Sequence, residues 1–319
     1  MIGPSLPLTP LDGAVATPAV IVERARLAAN LARVQAIAER RRVRLRPHIK
    51  THKCLEIGRA QLRGGAIGLT CAKVGEAVVF LDDGAPSVTI AYPLVDPAKA
   101  AAAMTRARER GAEARFIADS EAGVEALATA ASRVGCTVPV AVKIDVGLHR
   151  CGLAEDDPRL VPLVERIARA GSLRFHGLIA HAGHAYGAGD AQGVRRVAAE
   201  EAATLARART RIEAAGHGVV EVSVGSTPTV LGSDSYDGIT EIRPGNYVFL
   251  DLTPVRLGLV RLDDVALHIL ATVVSVNDDH AIVDAGSKVL SSDLGAHGSG
   301  RGGFGLAFAE DAPWDADHA

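Results

Sequence analysis

RLRPHIKTHK, residues 44–53, begins as a short extended run and ends in a polar octet from Arg46 to Lys53. Read as a strand, its alternation puts Arg46, His48 and Lys50 on one face, with Lys53 in the turn beyond. Seven more strand-like runs follow: 66–72 (AIGLTCA), 87–92 (SVTIAY), 113–118 (EARFIA), 139–145 (PVAVKID), 174–181 (RFHGLIAH), 219–225 (VVEVSVG) and 240–249 (TEIRPGNYVF). Helical patterns rich in Ala, Arg, Glu and Leu separate them, as at 97–110, 120–133, 158–170 and 190–215. Strands alternating with helices predict parallel strands with crossover helices. Eight of them are the number that closes a (β/α)8 TIM-type barrel, and a doubly wound open sheet is the alternative.

Beyond the eighth run the pattern changes. Residues 265–276 (VALHILATVVSV) and 280–291 (HAIVDAGSKVLS) are β-like and joined by the polar turn Asn277-Asp278-Asp279, with no helix between. This predicts a smaller C-terminal β domain. The barrel is expected over 23–253, and the β-rich second domain over 1–22 and 254–319, with 17–22 (TPAVIV) as a strand available to pair with it. The glycine-rich segment 292–319 is expected to be a mobile tail.

The chain has 319 residues, 48% of them apolar and 23% charged, with a formal net charge of -2 and 3% aromatics. That balance gives no electrostatic footprint for nucleic acid or an anionic membrane surface. The four cysteines, Cys54, Cys71, Cys136 and Cys151, form no C-x-x-C pair, which fits a reducing compartment. With no apolar run long enough for a membrane span and no leader pattern at the N-terminus, a cytoplasmic location is expected.

Four polar clusters fall at strand ends, where a barrel builds its site. The first is the octet. Lysine is scarce, six of the 35 basic residues, and Lys50 and Lys53 are two of the six. A lysine can form an imine with an aldehyde, and burial or nearby cations free its amine for that. The second cluster, DVGLHRCG at 145–152, sets Arg150 between glycines, suited to aiming a guanidinium at an anionic oxygen. The third, HAGHAY at 181–186, carries His181, His184 and Tyr186. The two histidines lack a third ligand at metal spacing, so ring-contacting or proton-transfer roles suit them better. The fourth combines GSTPT at 225–229 with EIRPGNY at 241–247. Small hydroxyl residues and exposed backbone N–H groups in these loops are what a phosphate needs, on the strands where barrels commonly bind one. An imine-forming lysine facing a phosphate cradle, with an arginine and a tyrosine between, is the inventory for pyridoxal 5'-phosphate.

RPHIKTHK, CAKVGEA (71–77), DVGLHRCG, HAGHAY, GSTPT, EIRPGNY and DAGSKVLSSD (284–293), in this order, resemble the D-threonine aldolase and eukaryotic-type D-serine dehydratase family, whose members have an alanine-racemase-like barrel (fold type III). The resemblance runs from about residue 17 to 305. It implies that Lys50 bonds the cofactor, Arg150 meets its phenolic oxygen and Tyr186 faces the pyridine nitrogen. Ser226 or Thr227, with Gly245 and Asn246, would hold the phosphate. It implies a homodimer acting on a D-β-hydroxy amino acid: foremost retro-aldol cleavage to glycine and an aldehyde, with dehydration of D-serine or 3-hydroxyaspartate as the alternative. The family also uses a divalent metal, manganese or zinc, held by a His-x-Cys or His-x-Asp motif in the β domain. No such motif occurs here, so the metal ligands are unassigned and cofactor binding is the firmer expectation. A cofactor-binding protein with impaired catalysis is the reading from a different class.

Overall fold

The computed structural model describes residues 15–286, 288–290 and 307. Eight parallel strands form one curled sheet: β2 (Arg44–Leu45), β3 (Leu69–Cys71), β4 (Ser87–Ile90), β5 (Glu113–Ala118), β6 (Val138–Lys143), β7 (Leu173–Ile179), β8 (Glu221–Val224) and β9 (Glu241–Ile242). They run in the order β2-β9-β8-β7-β6-β5-β4-β3. A parallel bridge between His48 and Thr70, with Thr70 N–H donating to the Pro47 carbonyl at 2.8 Å, joins the two edges. The barrel expected from the eight runs is the fold, with a smaller C-terminal sheet beside it.

Helices α1 (Arg24–Arg41), α2 (Leu55–Arg63), α3 (Val74–Asp82), α4 (Pro97–Glu109), α5 (Glu121–Val134), α6 (Leu160–Arg169) and α7 (Ala191–Ala214) alternate with the strands; the short α8 (Thr227–Gly232) and α9 (Leu252–Arg256) follow. Odd-numbered Leu45 and even-numbered Val140, Val142, Val222, Val224 and Ile242 face outward into the apolar layer beneath the helices. The alternate residues point into the barrel, and here the interior is charged rather than aliphatic. Arg46 Nε pairs with Glu241 at 2.7 Å and its Nη1 donates to Ser87 at 2.8 Å. Ser223 donates to Glu241 at 2.5 Å and accepts from Arg243 at 2.5 Å. Below them Glu221 accepts from Arg115 at 2.9 Å and Arg44 at 3.0 Å. Arg46 fits only because residue 68 is glycine: a Cβ there would lie 2.2 Å from its Nη1. Above this ladder, Ile117, Ala141 and Ile179 form a small separate apolar cluster.

Of the strand expectations that are shortened, two are cut at a proline. The run 44–50 keeps β-ladder pairing only at Arg44–Leu45 and at His48, because Pro47 lacks an N–H and a 3-10 turn begins at Ile49. Lys50 therefore sits in the turn Ile49–Thr51 and not on the strand face shared by Arg46 and His48. The run 240–249 ends as strand at Ile242, before Pro244, and continues as the 3-10 turn Asn246–Val248.

The segment read at 17–22 forms β1 (Ala19–Val22), antiparallel to β10 (Leu267–Leu270). Residues 265–276 divide into β10 and β11 (Val273–Val276), and β11 pairs with β12 (Ala281–Val283) across the Asn277–Asp279 turn. Every residue of that hairpin's strands is exposed. The expectation of a mobile tail over 292–319 lies almost wholly outside the described residues. Among the described residues no helix is long and apolar enough to cross a membrane.

Candidate active site

The strand ends converge on a cavity of about 600 Å³, including its open mouth, lined by His48, Lys50, Thr51, Ala91, Ile117, Lys143, Arg150, Ile179, His181, Tyr186, Gly225, Ser226, Thr227, Arg243, Gly245 and Asn246. Eight residues singled out in the sequence line it: Lys50, Arg150, His181, Tyr186, Ser226, Thr227, Gly245 and Asn246. His184 does not. The turn Gly183–Gly187 brings Tyr186 to the cavity but lays the His184 ring against Gly147, with its Nδ1 buried and without a protein partner. His184 thus stands behind the cavity wall rather than on it.

The turn bearing Lys50 is held by His48, whose Nδ1 accepts from the Lys50 N–H at 3.3 Å. Lys50 is exposed to solvent overall, yet desolvation by the surrounding protein lowers its pKa from the usual value, and Arg150 and Arg243 lower it further, with Glu76 opposing. The neutral amine is thus more accessible than on an isolated lysine. Lys53 instead pairs with Glu76 at 3.3 Å, outside the cavity.

Arg150 is carried by a loop wound around Asp145. That carboxylate accepts from Gly147 N–H at 3.1 Å, from His149 N–H at 3.0 Å and pairs with His149 Nδ1 at 2.9 Å. Gly152 N–H donates to Asp119 at 3.0 Å and anchors the far end.

His181 Nδ1 lies 2.7 Å from the Gly225 carbonyl, so Nδ1 carries the proton and Nε2 keeps its lone pair. Burial above all pulls its pKa down to about 3, and the ring stays neutral. It can accept a hydrogen bond but is a weak base at neutral pH. The Tyr186 hydroxyl lies beside Thr227. Burial pushes this phenol up to about 12, keeping it a donor.

Ser226 caps α8, its side chain accepting from Thr229 N–H at 3.3 Å while its own N–H donates to Thr229 Oγ1 at 3.1 Å. Thr227 Oγ1 accepts from Tyr247 N–H at 3.1 Å, tying the loop after β8 to the loop after β9.

Three lining residues escaped the sequence reading. His48 caps the turn that carries Lys50. Arg243, at the end of β9, is buried and donates to Ser223 and to the carbonyls of Val224 and Ala180. Lys143 is 6% exposed, and burial, then Arg243, lowers its pKa to about 8. Its signal was in the sequence: a lysine inside the apolar run PVAVKI marks a buried cation. Among the described residues four basic side chains, Lys50, Lys143, Arg150 and Arg243, line the cavity and no carboxylate does. The chamber is built for anions.

These residues fit pyridoxal phosphate: an amine with lowered pKa on one wall, hydroxyls and turns on the opposite one, and cations between. For the second expected group, a metal, the described residues alone can be compared. Among the described residues no three His, Cys, Asp or Glu side chains come together.

A barrel of this topology with a lysine at the first strand's end defines a class, and comparison with known proteins bears it out. The family described as alanine racemase, N-terminal domain, matches residues 22–253, and the putative serine dehydratase domain matches 266–318. The chain belongs to the alanine racemase N-terminal domain family. It is 37% identical to the D-threo-3-hydroxyaspartate dehydratase of Delftia sp. (strain HT23), over 88% of this chain and 73% of that one. It is 33% identical to the D-threonine aldolase of Arthrobacter sp, over 92% and 77%. Among solved structures, the Delftia dehydratase superposes with a TM-score of 0.83 at 36% identity, covering 88% of this chain and 74% of that one. The D-threonine aldolase from Filomicrobium marinum gives 0.80 at 31%, covering 88% and 76%. These relatives are lyases, of both the carbon–oxygen and carbon–carbon kinds.

Proposed function

We propose that this protein is a pyridoxal phosphate-dependent lyase of D-β-hydroxy amino acids, and that it takes an acidic substrate of the 3-hydroxyaspartate class and dehydrates it. The observation carrying the substrate class is that, with Lys50 given to the cofactor's aldehyde, Lys143, Arg150 and Arg243 still line the cavity and no carboxylate among the described residues does. These three are left to meet a phosphate and the substrate's carboxylates. The 37% identical dehydratase supports the same reaction.

When bound, the cofactor supplies an electron sink for charge released at the substrate Cα. The chain's own residues do the rest. Lys50 Nζ, with its lowered pKa, would hold the cofactor at its aldehyde carbon and would serve as the base for the substrate Cα proton. Arg150, Lys143 and Arg243 hold anionic oxygens. Tyr186 Oη donates from the phosphate end, beside Thr227. His181 Nε2, unprotonated, accepts a hydrogen bond from the substrate hydroxyl and orients it, and the hydroxyl would leave as water with the proton that Lys50 Nζ takes from Cα. Ile117 and Ile179 form an apolar wall that excludes water from the reacting carbon.

Retro-aldol cleavage is the second reading, favoured by the 33% identical D-threonine aldolase. Product analysis separates them. D-threo-3-hydroxyaspartate should give oxaloacetate and ammonia by dehydration, whereas glycine and glyoxylate would show cleavage of Cα–Cβ. The panel is run with added manganese or zinc and with chelator, alongside D-threonine and D-serine. The visible absorbance of protein-bound pyridoxal phosphate should vanish in Lys50→Ala and persist in Lys53→Ala. A band that survives in Lys50→Ala refutes the assignment.

A further inference from the structure

Helix α7 buries a regular stripe, Val194, Ala198, Glu201, Leu205, Ala208 and Ile212, spaced by four, three, four, three and four residues. Five members are apolar. The sixth is a glutamate, 2% exposed, in a position that the helical period reserves for the core. A carboxylate is buried only where something holds it. Its Oε1 accepts from the Ala182 N–H at 3.1 Å, and the Gly225 N–H also points at it. Ala182 follows His181, and Gly225 is the residue whose carbonyl receives the His181 Nδ1–H at 2.7 Å. A closed ring results: Glu201 grips both backbone segments, and His181 bridges them from the cavity side. Gly225 cannot supply this by packing, since a Cβ there would lie 2.8 Å from the Arg243 nitrogen.

We infer that Glu201 is a positioning residue, acting from outside the barrel to lock the loop after β7 onto the loop after β8. It thereby fixes His181, Tyr186, Ser226 and Thr227 relative to Lys50. The value of that placement for catalysis rests on the function proposed above, but the lock itself does not. The charged and titratable groups facing Glu201 are Arg243 at the end of β9, Lys143 on β6 and Tyr236 after α8, with His181 beyond the Gly225 backbone. Burial pushes the Glu201 carboxyl up to about 7, while Arg243 and Lys143 pull the other way. The grip therefore strengthens as pH rises through neutrality, because the carboxylate is the better acceptor.

The test is native-state amide exchange on the cofactor-free protein, comparing wild type with Glu201→Gln. Gln keeps the side chain's size but offers one acceptor and presents an N–H₂ to the other donor. Protection at Ala182 and Gly225 should fall about tenfold or more, the loss expected for a charged acceptor. Protection at Val140 and Val142 in β6 should not change. The dissociation constant for pyridoxal phosphate should rise about tenfold, with the Lys50-dependent absorbance still formed at saturation. In wild type, protection at the same two amides, corrected for intrinsic exchange, should rise between about pH 6 and about pH 8. Unchanged protection at Ala182 and Gly225 in Glu201→Gln overturns the inference. So does a loss shared equally by β6, which would mean only general loosening, or a wild-type profile flat in pH. Failure of the functional reading would show separately, as a Lys50→Ala protein that keeps the cofactor band.

Discussion

The charged ladder inside the barrel makes a quantitative demand on Arg46. Its side chain and that of Glu241 are 0% and 1% exposed, and they meet at 2.7 Å. Replacing Arg46 by Met preserves the stem's packing but deletes the bonds to Glu241 and Ser87, leaving a buried carboxylate with the Ser223 hydroxyl as its hydrogen-bonding partner. Breaking one side of a buried pair costs roughly 3–5 kcal/mol. Arg46 Nη2 is itself buried without a partner, an expense the Met variant removes, so the lower end, about 3 kcal/mol, is expected. Arg46→Met combined with Glu241→Gln removes the stranded charge while keeping an acceptor and a donor for Ser223. The double variant should return to within about 1 kcal/mol of wild type. Urea unfolding at neutral pH, followed by far-ultraviolet circular dichroism, gives the free energies for the cycle. A single variant as stable as wild type, or a double variant no better than the single, would refute the view that the ladder is held by charge pairing.

Two further outcomes follow from the site. Lys143 titrates near 8 in the fold against a usual 10.5, so the unfolded chain binds more protons between those values and stability rises with pH across that window. Below it, the buried charge costs about 3 kcal/mol; Lys143→Met should gain up to that amount at neutral pH and lose the alkaline rise, as read from urea midpoints at several pH values. Asp145→Ala releases three contacts that shape the Arg150 loop and should weaken pyridoxal phosphate binding about tenfold while shifting global stability by about 1 kcal/mol, measured by cofactor titration and thermal melting.

Much of this was legible in the linear chain. Residues 113–118 form the strand at those limits, because EARFIA is a short extended run with clear breaks on both sides. Lys50 could be singled out because lysine is scarce and the octet around it is polar. What stayed hidden depended on the third dimension. Pro47 and Pro244 cut their strands short, and the 3-10 turns that follow decide which side chains reach the cavity. The HAGHAY motif offered two histidines alike, and only the turn at Gly183–Gly187 separates the one facing the cavity from the one behind it. Lys143 and Glu201 were readable in principle, each a charge in an apolar pattern, but such a residue declares only that it is held, not what it holds.

The β11–β12 hairpin has a consequence for handling the protein. Val273, Val274 and Val276 on one strand and Ile282 and Val283 on the other are all 40% exposed or more. β-branched side chains along a two-stranded ribbon favour extended pairing with another chain, the arrangement that seeds insoluble aggregates. Concentrated preparations should lose material through this ribbon before the barrel unfolds. Charged gatekeepers at Val274 and Val276, some way from the cavity in the chain and in a different sheet, are the substitutions that would keep the protein in solution.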